Sequence, residues 1–204
     1  MSTASLMVGV AASSAPSSSV LIAGVAGLVG GAMSMAVGEY VSVSSQRDAE
    51  QADIEREKIE LATQPEAEAR ELAGIYLKRG LDEHLAREVA RQLTSRDRLG
   101  AHLRDELGID PRRMAQPLQA AWVSAVSFAS FGFVPIIALL LASPALRIPA
   151  MALLSLASLA ALGAVGGYLG GAPMRRAALR VTLGGGLAMA VTAGIGRAFG
   201  GISP

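Results

Sequence analysis

The sequence predicts an all-α, polytopic membrane protein: five transmembrane helices, the first of them truncated, with a helical insert on the cytosolic side between the second and the third. Three features of the chain predict this. Every Asp and Glu except Glu39 lies within residues 45–117. The flanks are nearly continuous Ala, Gly, Val, Leu and Ser, and the whole has a mean hydropathy of +0.43 with 51% hydrophobic and 17% charged residues, unlike an ordinary soluble chain. Residues 20–43, 118–142, 148–170 and 177–199 are each long enough, at about 20 residues per crossing, to span a bilayer as a helix. The chain therefore divides into 1–44 with transmembrane helices 1 and 2, 45–117 as the acidic insert, and 118–204 with transmembrane helices 3 to 5.

Residues 1–15 are apolar, but Pro16 and the serines at 17–19 end the run. At about 1.5 Å per residue these fifteen positions reach about 22 Å, short of a hydrocarbon core of about 30 Å. Met1 to Ala15 carry no charge, so they lack the basic start of a signal peptide. The second span contains Glu39 near its inner end. A carboxylate there costs a few kcal/mol unless it faces a wet cavity or a partner, or snorkels to the interface. Met35 stands four residues earlier on the same helix face, whereas Met33 is about 200° away around the helix from Met35. A thioether beside a carboxylate suits a borderline divalent ion such as Fe²⁺, and simple packing of Met35 explains its presence as well. Gly24, Gly27, Gly30, Gly31 and Ser34, and later Gly163, Gly166, Gly167, Gly170 and Gly171, permit close helix approach.

Arg and Lys crowd the insert, and Arg175, Arg176 and Arg180 lie between the last two spans, whereas the other side offers Arg147 and Arg197. Positive charge marks the cytoplasmic face. The N-terminus and the insert are accordingly expected inside and the C-terminus outside, and the Ala-, Arg- and Gly-rich composition without a targeting sequence points to a bacterial inner cell membrane.

Within the insert, Glu57, Glu60, Glu68 and Glu71 would share an arc of about 80° if their turns stayed in phase. Pro65 interrupts them, and Thr63-Gln64-Pro65-Glu66 reads as a capping box that opens a second helix. The two Glu-x-x-Glu pairs thus belong to separate helices, which must fold together before four carboxylates converge. Each pair sets like charges side by side, mildly destabilising without a counter-ion. A solvated face balanced by Arg56, Lys58, Arg70 and Arg87 accounts for the same pattern. Gly80 is expected to end the second helix, Leu81, Leu85, Val89 and Leu93 to line a third, and Ser95 to cap a fourth that contains Glu106 and ends at Gly108.

Cysteine is absent, which removes disulfides and thiolate sites. No basic stripe with interleaved aromatics speaks for nucleic acid. Calcium loops, phosphate-cradling loops and His-Glu-x-x-His pairs are missing, and the serines lack a His–Asp context, so no catalytic residue, cofactor or enzymatic activity is assigned. His84 and His102 read as isolated surface or packing residues.

Three stretches, Ser2-Thr3-Ala4-Ser5-Leu6-Met7-Val8-Gly9-Val10, Gly31-Ala32-Met33-Ser34-Met35-Ala36-Val37-Gly38-Glu39-Tyr40-Val41-Ser42-Val43 and Ser45-Gln46-Arg47-Asp48, resemble the vacuolar iron transporter family. So do Glu57, Glu60, Glu68 and Glu71 and the run Glu106-Leu107-Gly108. The resemblance implies a dimeric five-helix transporter that moves Fe²⁺, and often Mn²⁺, out of the cytosol in exchange for protons. It implies that Glu57, Glu60, Glu68, Glu71 and Glu106 collect the ion and that Met35 lines the transport pathway. The convergent carboxylates themselves make Co²⁺ and Zn²⁺ further candidates, and Glu39, as an intramembrane carboxylate, is expected on the same pathway as a proton carrier. Some plant members carry a methionine pair where this chain has His102-Leu103. Family members usually begin the first helix with Asp-Gly-Ile-Val/Leu-Ser-Thr; here Met1-Ser2-Thr3 stands in that place, and Met1 is expected to be an internal start downstream of the Asp. Two rival functions use the same residues: a membrane-anchored protein that binds or sequesters divalent metal without transport, and a membrane scaffold whose insert docks a partner by charge.

Overall fold

The computed structural model describes residues 1–200. Seven α-helices follow one another: α1 (Ser2–Ala12), α2 (Ser17–Thr63), α3 (Pro65–Lys78), α4 (Glu83–Asp105), α5 (Pro117–Leu141), α6 (Arg147–Leu169) and α7 (Met174–Gly200), with single 3₁₀ turns at Pro111–Arg113 and Pro144–Leu146. No strand occurs among the described residues. α2, α5, α6 and α7 are each long and apolar enough to cross a membrane, and α1, at 11 residues, is not. A polytopic membrane protein fits this set.

The chain forms two compact units, one of Met1–Gly38 with Ala121–Pro204 and one of Glu39–Ala120. In the first, Ala4, Met7 and Val8 of α1 pack with Val20 and Leu28 of α2, Ile136, Ala138 and Leu139 of α5, Met151 of α6 and Met189 of α7. Small residues set the closest approaches. A Cβ on Gly163 of α6 would stand 2.8 Å from the Ala178 Cα of α7, and one on Gly196 of α7 would collide with the Gly9 carbonyl oxygen of α1, so the backbones meet only because side chains are absent. Gly30 and Gly166 have nothing within 4 Å of such a Cβ, so the small-residue runs are only partly contact surfaces.

In the second unit, Leu72 and Ala73 of α3 and Ala90 and Ala101 of α4 form the core, with Ile75, Tyr76 and Leu93 packed against it. Leu72 is fully buried, which contributes roughly 1.5–3 kcal/mol. The first insert helix is not a separate element: α2 runs unbroken from Ser17 to Thr63, since nothing after Gly38 and before Pro65 breaks a helix. α3 then starts at Pro65 without the expected capping box. Gln64 is its N-cap and makes no side-chain cap bond, while the Thr63 hydroxyl donates backward to the Ile59 carbonyl across 2.8 Å and is unavailable to α3.

Gly80 ends α3 as expected, at φ +99°, with its N–H on the Leu77 carbonyl and that of Leu81 on the Tyr76 carbonyl. These two bonds make a Schellman cap, whose left-handed residue favours glycine. α4 opens on Asp82, whose carboxylate accepts the Leu85 N–H at 3.0 Å. The expected break inside this segment lies two residues later than Ser95. Asp97 leaves helical geometry (φ −155°, ψ 86°) and its carboxylate accepts the Gly100 N–H at 3.0 Å, so Asp97 caps the second half. The Ser95 hydroxyl instead donates to the Gln92 carbonyl.

Candidate metal centre

Three helices of the second unit converge on one buried cluster. α2 contributes Glu57, α3 contributes Glu68, and the capped second half of α4 carries His102 in its last turn, with Glu106 at its C-cap; one donor atom from each of the four lies within 4.8 Å of the others. Glu57 is 2% exposed, Glu68 6% and His102 1%. The His102 Nδ1 is 3.0 Å from a Glu57 oxygen, 3.0 Å from a Glu106 oxygen and 3.7 Å from a Glu68 oxygen. Position 102 is four residues before 106, so one helical turn carries both.

Local sequence explains each placement. Glu57 and Leu61 share a face of α2 at i, i+4, and Leu61 is buried with it. Glu68 shares its face with Leu72, the buried centre of the insert core. His102 sits between the buried Ala101 and Leu103, on the turn that Asp97 re-phases.

Three carboxylates in so small a space are electrostatically costly. Burial, then the neighbouring charges of Glu106, Glu68 and Glu60, push the Glu57 carboxyl up to about 7, against the opposing pull of His102. Burial and the charge of Glu71 likewise raise Glu68. The Glu57 Oε1 atom is buried without a hydrogen-bond partner. A divalent cation would satisfy that oxygen and neutralise the repulsion, and the donor set of carboxylates and imidazole suits Fe²⁺, Mn²⁺, Co²⁺ or Zn²⁺.

Of the glutamates expected to converge, Glu57, Glu68 and Glu106 belong to the cluster. Glu60 and Glu71 do not, although both are close enough to act on its charge; Glu71 is exposed and Glu60 half-buried. His102, expected as an isolated surface or packing residue, is the exception that the structure corrects: it is buried among carboxylates. Its i, i+4 spacing to Glu106 was the available signal. His84 is exposed, as expected. Met35 and Glu39 lie on α2, Met35 at 48% exposure and Glu39 exposed.

The cluster's setting in a chain with four membrane-length helices among the described residues agrees with what the chain is similar to. The model of the VIT family matches residues 1–197. A protein of Acanthamoeba castellanii named vacuolar iron transporter is 49% identical over 178 residues, 87% of this chain and 68% of that protein. Vacuolar iron transporter homolog 2 of Oryza sativa subsp. japonica is 36% identical over 201 residues, covering 98% and 84% of the two chains. Vacuolar iron transporter 1 of Arabidopsis thaliana is 30% identical over 176 residues, covering 84% and 70%. By the extent of these matches, the chain belongs to the VIT family.

Proposed function

We propose that this protein exports Fe²⁺ and Mn²⁺ from the cytosol in exchange for protons, as a multi-pass homodimer of the inner cell membrane with the 45–117 insert on the cytoplasmic side. The observation that carries the proposal is the crowding of Glu57, Glu68 and the half-buried Glu106 around His102, with one Glu57 oxygen buried and unpaired, which a divalent cation would complete. Glu60 and Glu71 flank it and raise the local negative potential, concentrating cations before capture. Within the α2 span, Met35 offers a thioether to the passing ion, and Glu39 is the carboxylate that exchanges protons. The names of the relatives support metal-ion transport, and the arginines at 175, 176 and 180 support the orientation.

Reconstitution into liposomes tests it. With an acidic lumen and Fe²⁺ or Mn²⁺ outside at neutral pH, protein oriented with the insert outward should accumulate the metal while the lumen loses protons. Metal bound to the protein with no uptake, under any proton gradient, would leave a sequestering protein and end the transport proposal.

A further inference from the structure

An imidazole stands at the centre of the capture site, and its chemistry carries a more specific consequence, which rests on that capture role. Cation–ligand bonds of about 2.0–2.2 Å set neighbouring donors roughly 3 Å apart around an octahedral ion and roughly 3.4 Å apart around a tetrahedral one. His102 Nδ1 already stands 3.0 Å from both the Glu57 and the Glu106 oxygen. The Glu106 contact has hydrogen-bond geometry. The Glu57 contact does not: Oε1 is buried with no hydrogen-bond partner, although it is just as near the ring nitrogen. A buried carboxylate oxygen this close to a ring nitrogen, yet outside hydrogen-bond geometry with it, is left with a lone pair that a cation between the two would engage. An imidazole kept only for packing would not need three buried or half-buried carboxylates around one nitrogen, at 3.0, 3.0 and 3.7 Å.

We infer that His102 is a metal ligand, its Nδ1 completing a nitrogen–oxygen donor set with Glu57, Glu68 and Glu106, and that this ring biases the insert toward Zn²⁺, Co²⁺ and Fe²⁺ over Mn²⁺. Carboxylate oxygens alone accept Mn²⁺, Mg²⁺ or Ca²⁺ readily, whereas imidazole affinity rises along the divalent series from Mn²⁺ through Fe²⁺ and Co²⁺. One nitrogen in place of an oxygen therefore acts on selectivity more than on total charge.

The test uses the full-length, tag-free chain in detergent, loaded with one equivalent of Zn²⁺. X-ray absorption at the zinc edge should show the outer-shell scattering of an imidazole, and the signal should disappear in His102→Gln but persist in His84→Gln, since 84 and 102 are the only histidines. Calorimetry with Co²⁺ and Mn²⁺ separately should show His102→Gln losing about tenfold in Co²⁺ affinity and much less for Mn²⁺. Oxygen-only scattering in the wild type, or an unchanged Co²⁺ to Mn²⁺ ratio in the variant, overturns the assignment. If His102→Gln fails to fold, the wild-type and His84→Gln spectra still decide it. Imidazole scattering in a protein that moves no metal would keep this inference and remove the transport proposal, and transport with oxygen-only scattering would do the reverse.

Discussion

Tyr76, in the last turn of α3, donates its hydroxyl to the Asp105 carboxylate at the end of α4 across 2.9 Å. The bond joins the helix that carries Glu68 to the one that carries His102. Arg79 reinforces it, with one guanidinium nitrogen 2.9 Å from the other Asp105 oxygen and its plane over the Tyr76 ring at 5.2 Å. Burial alone would raise the Asp105 carboxyl, but hydrogen bonds from Arg79, Tyr76 and Arg104 outweigh it and hold the group below its ordinary value. Tyr76→Phe should lower the stability of the α3–α4 pair by about 1–2 kcal/mol. Amide hydrogen exchange across α3 and α4 reads this directly, and protection equal to wild type would show that the clamp is dispensable.

The two members of the second Glu-x-x-Glu pair should separate in effect. Glu68→Gln removes a buried donor of the cluster and should weaken Mn²⁺ binding by about tenfold or more; Glu71→Gln removes an exposed charge and should weaken it only slightly, and less still at high salt. Calorimetry on the full chain at two ionic strengths distinguishes them, and equal losses for both would place the ion nearer Glu71 than the cluster allows.

The raised Glu57 carboxyl fixes the sign of a pH effect. Below its ordinary value of 4.5, the group is protonated whether the insert is folded or unfolded. Between there and about 7 the unfolded chain gives up its proton while the folded one keeps it, so metal-free stability falls as pH rises, by roughly 3 kcal/mol once pH passes the folded value. The raised Glu68 acts in the same direction. Denaturant unfolding in chelator from pH 4 to 8 should show the decline, Glu57→Gln should flatten it, and saturating Mn²⁺ should oppose it. A metal-free stability that climbed through this window would contradict the burial of Glu57.

In the α2 span, Met35→Ala should reduce metal flux in proteoliposomes while leaving Mn²⁺ binding to the insert intact. Glu39→Gln should change how flux depends on the proton gradient. Unaltered transport in the first would return Met35 to packing, and an unaltered pH profile in the second would remove Glu39 from proton exchange.

Native mass measurement in mild detergent or nanodiscs should find two copies per particle. The close contacts of α1 with α7 and of α6 with α7 are satisfied within one chain, so a dimer must use other faces. A monomer that still transports would show that pairing is unnecessary.

The long apolar runs were legible because each exceeds a bilayer's thickness without interruption, and Gly80 was legible because few residues other than glycine accept its positive φ. The metal cluster was half legible. Glu57 and Glu68 stood out as acids at helical spacing and Glu106 through the family resemblance, but a single heptad-like count cannot say which of two like-charged neighbours turns inward; Leu61, buried on the same face as Glu57, and Leu72, at the centre of the insert core, decide that. His102 was missed because its meaning depends on helices that approach from residues 57 and 68, far away in sequence. The caps were misplaced because Thr63 and Ser95 spend their hydroxyls on the preceding turn, a choice between two local bonds that composition does not reveal.

The break at Asp97 has a consequence for how this chain can drift over evolutionary time. In an uninterrupted helix, losing one residue between positions 83 and 96 would swing everything downstream by about 100° and carry the imidazole out of its nest. Because Asp97 starts a fresh turn with its own cap, the spacer before it can change length while the donors after it keep their aim.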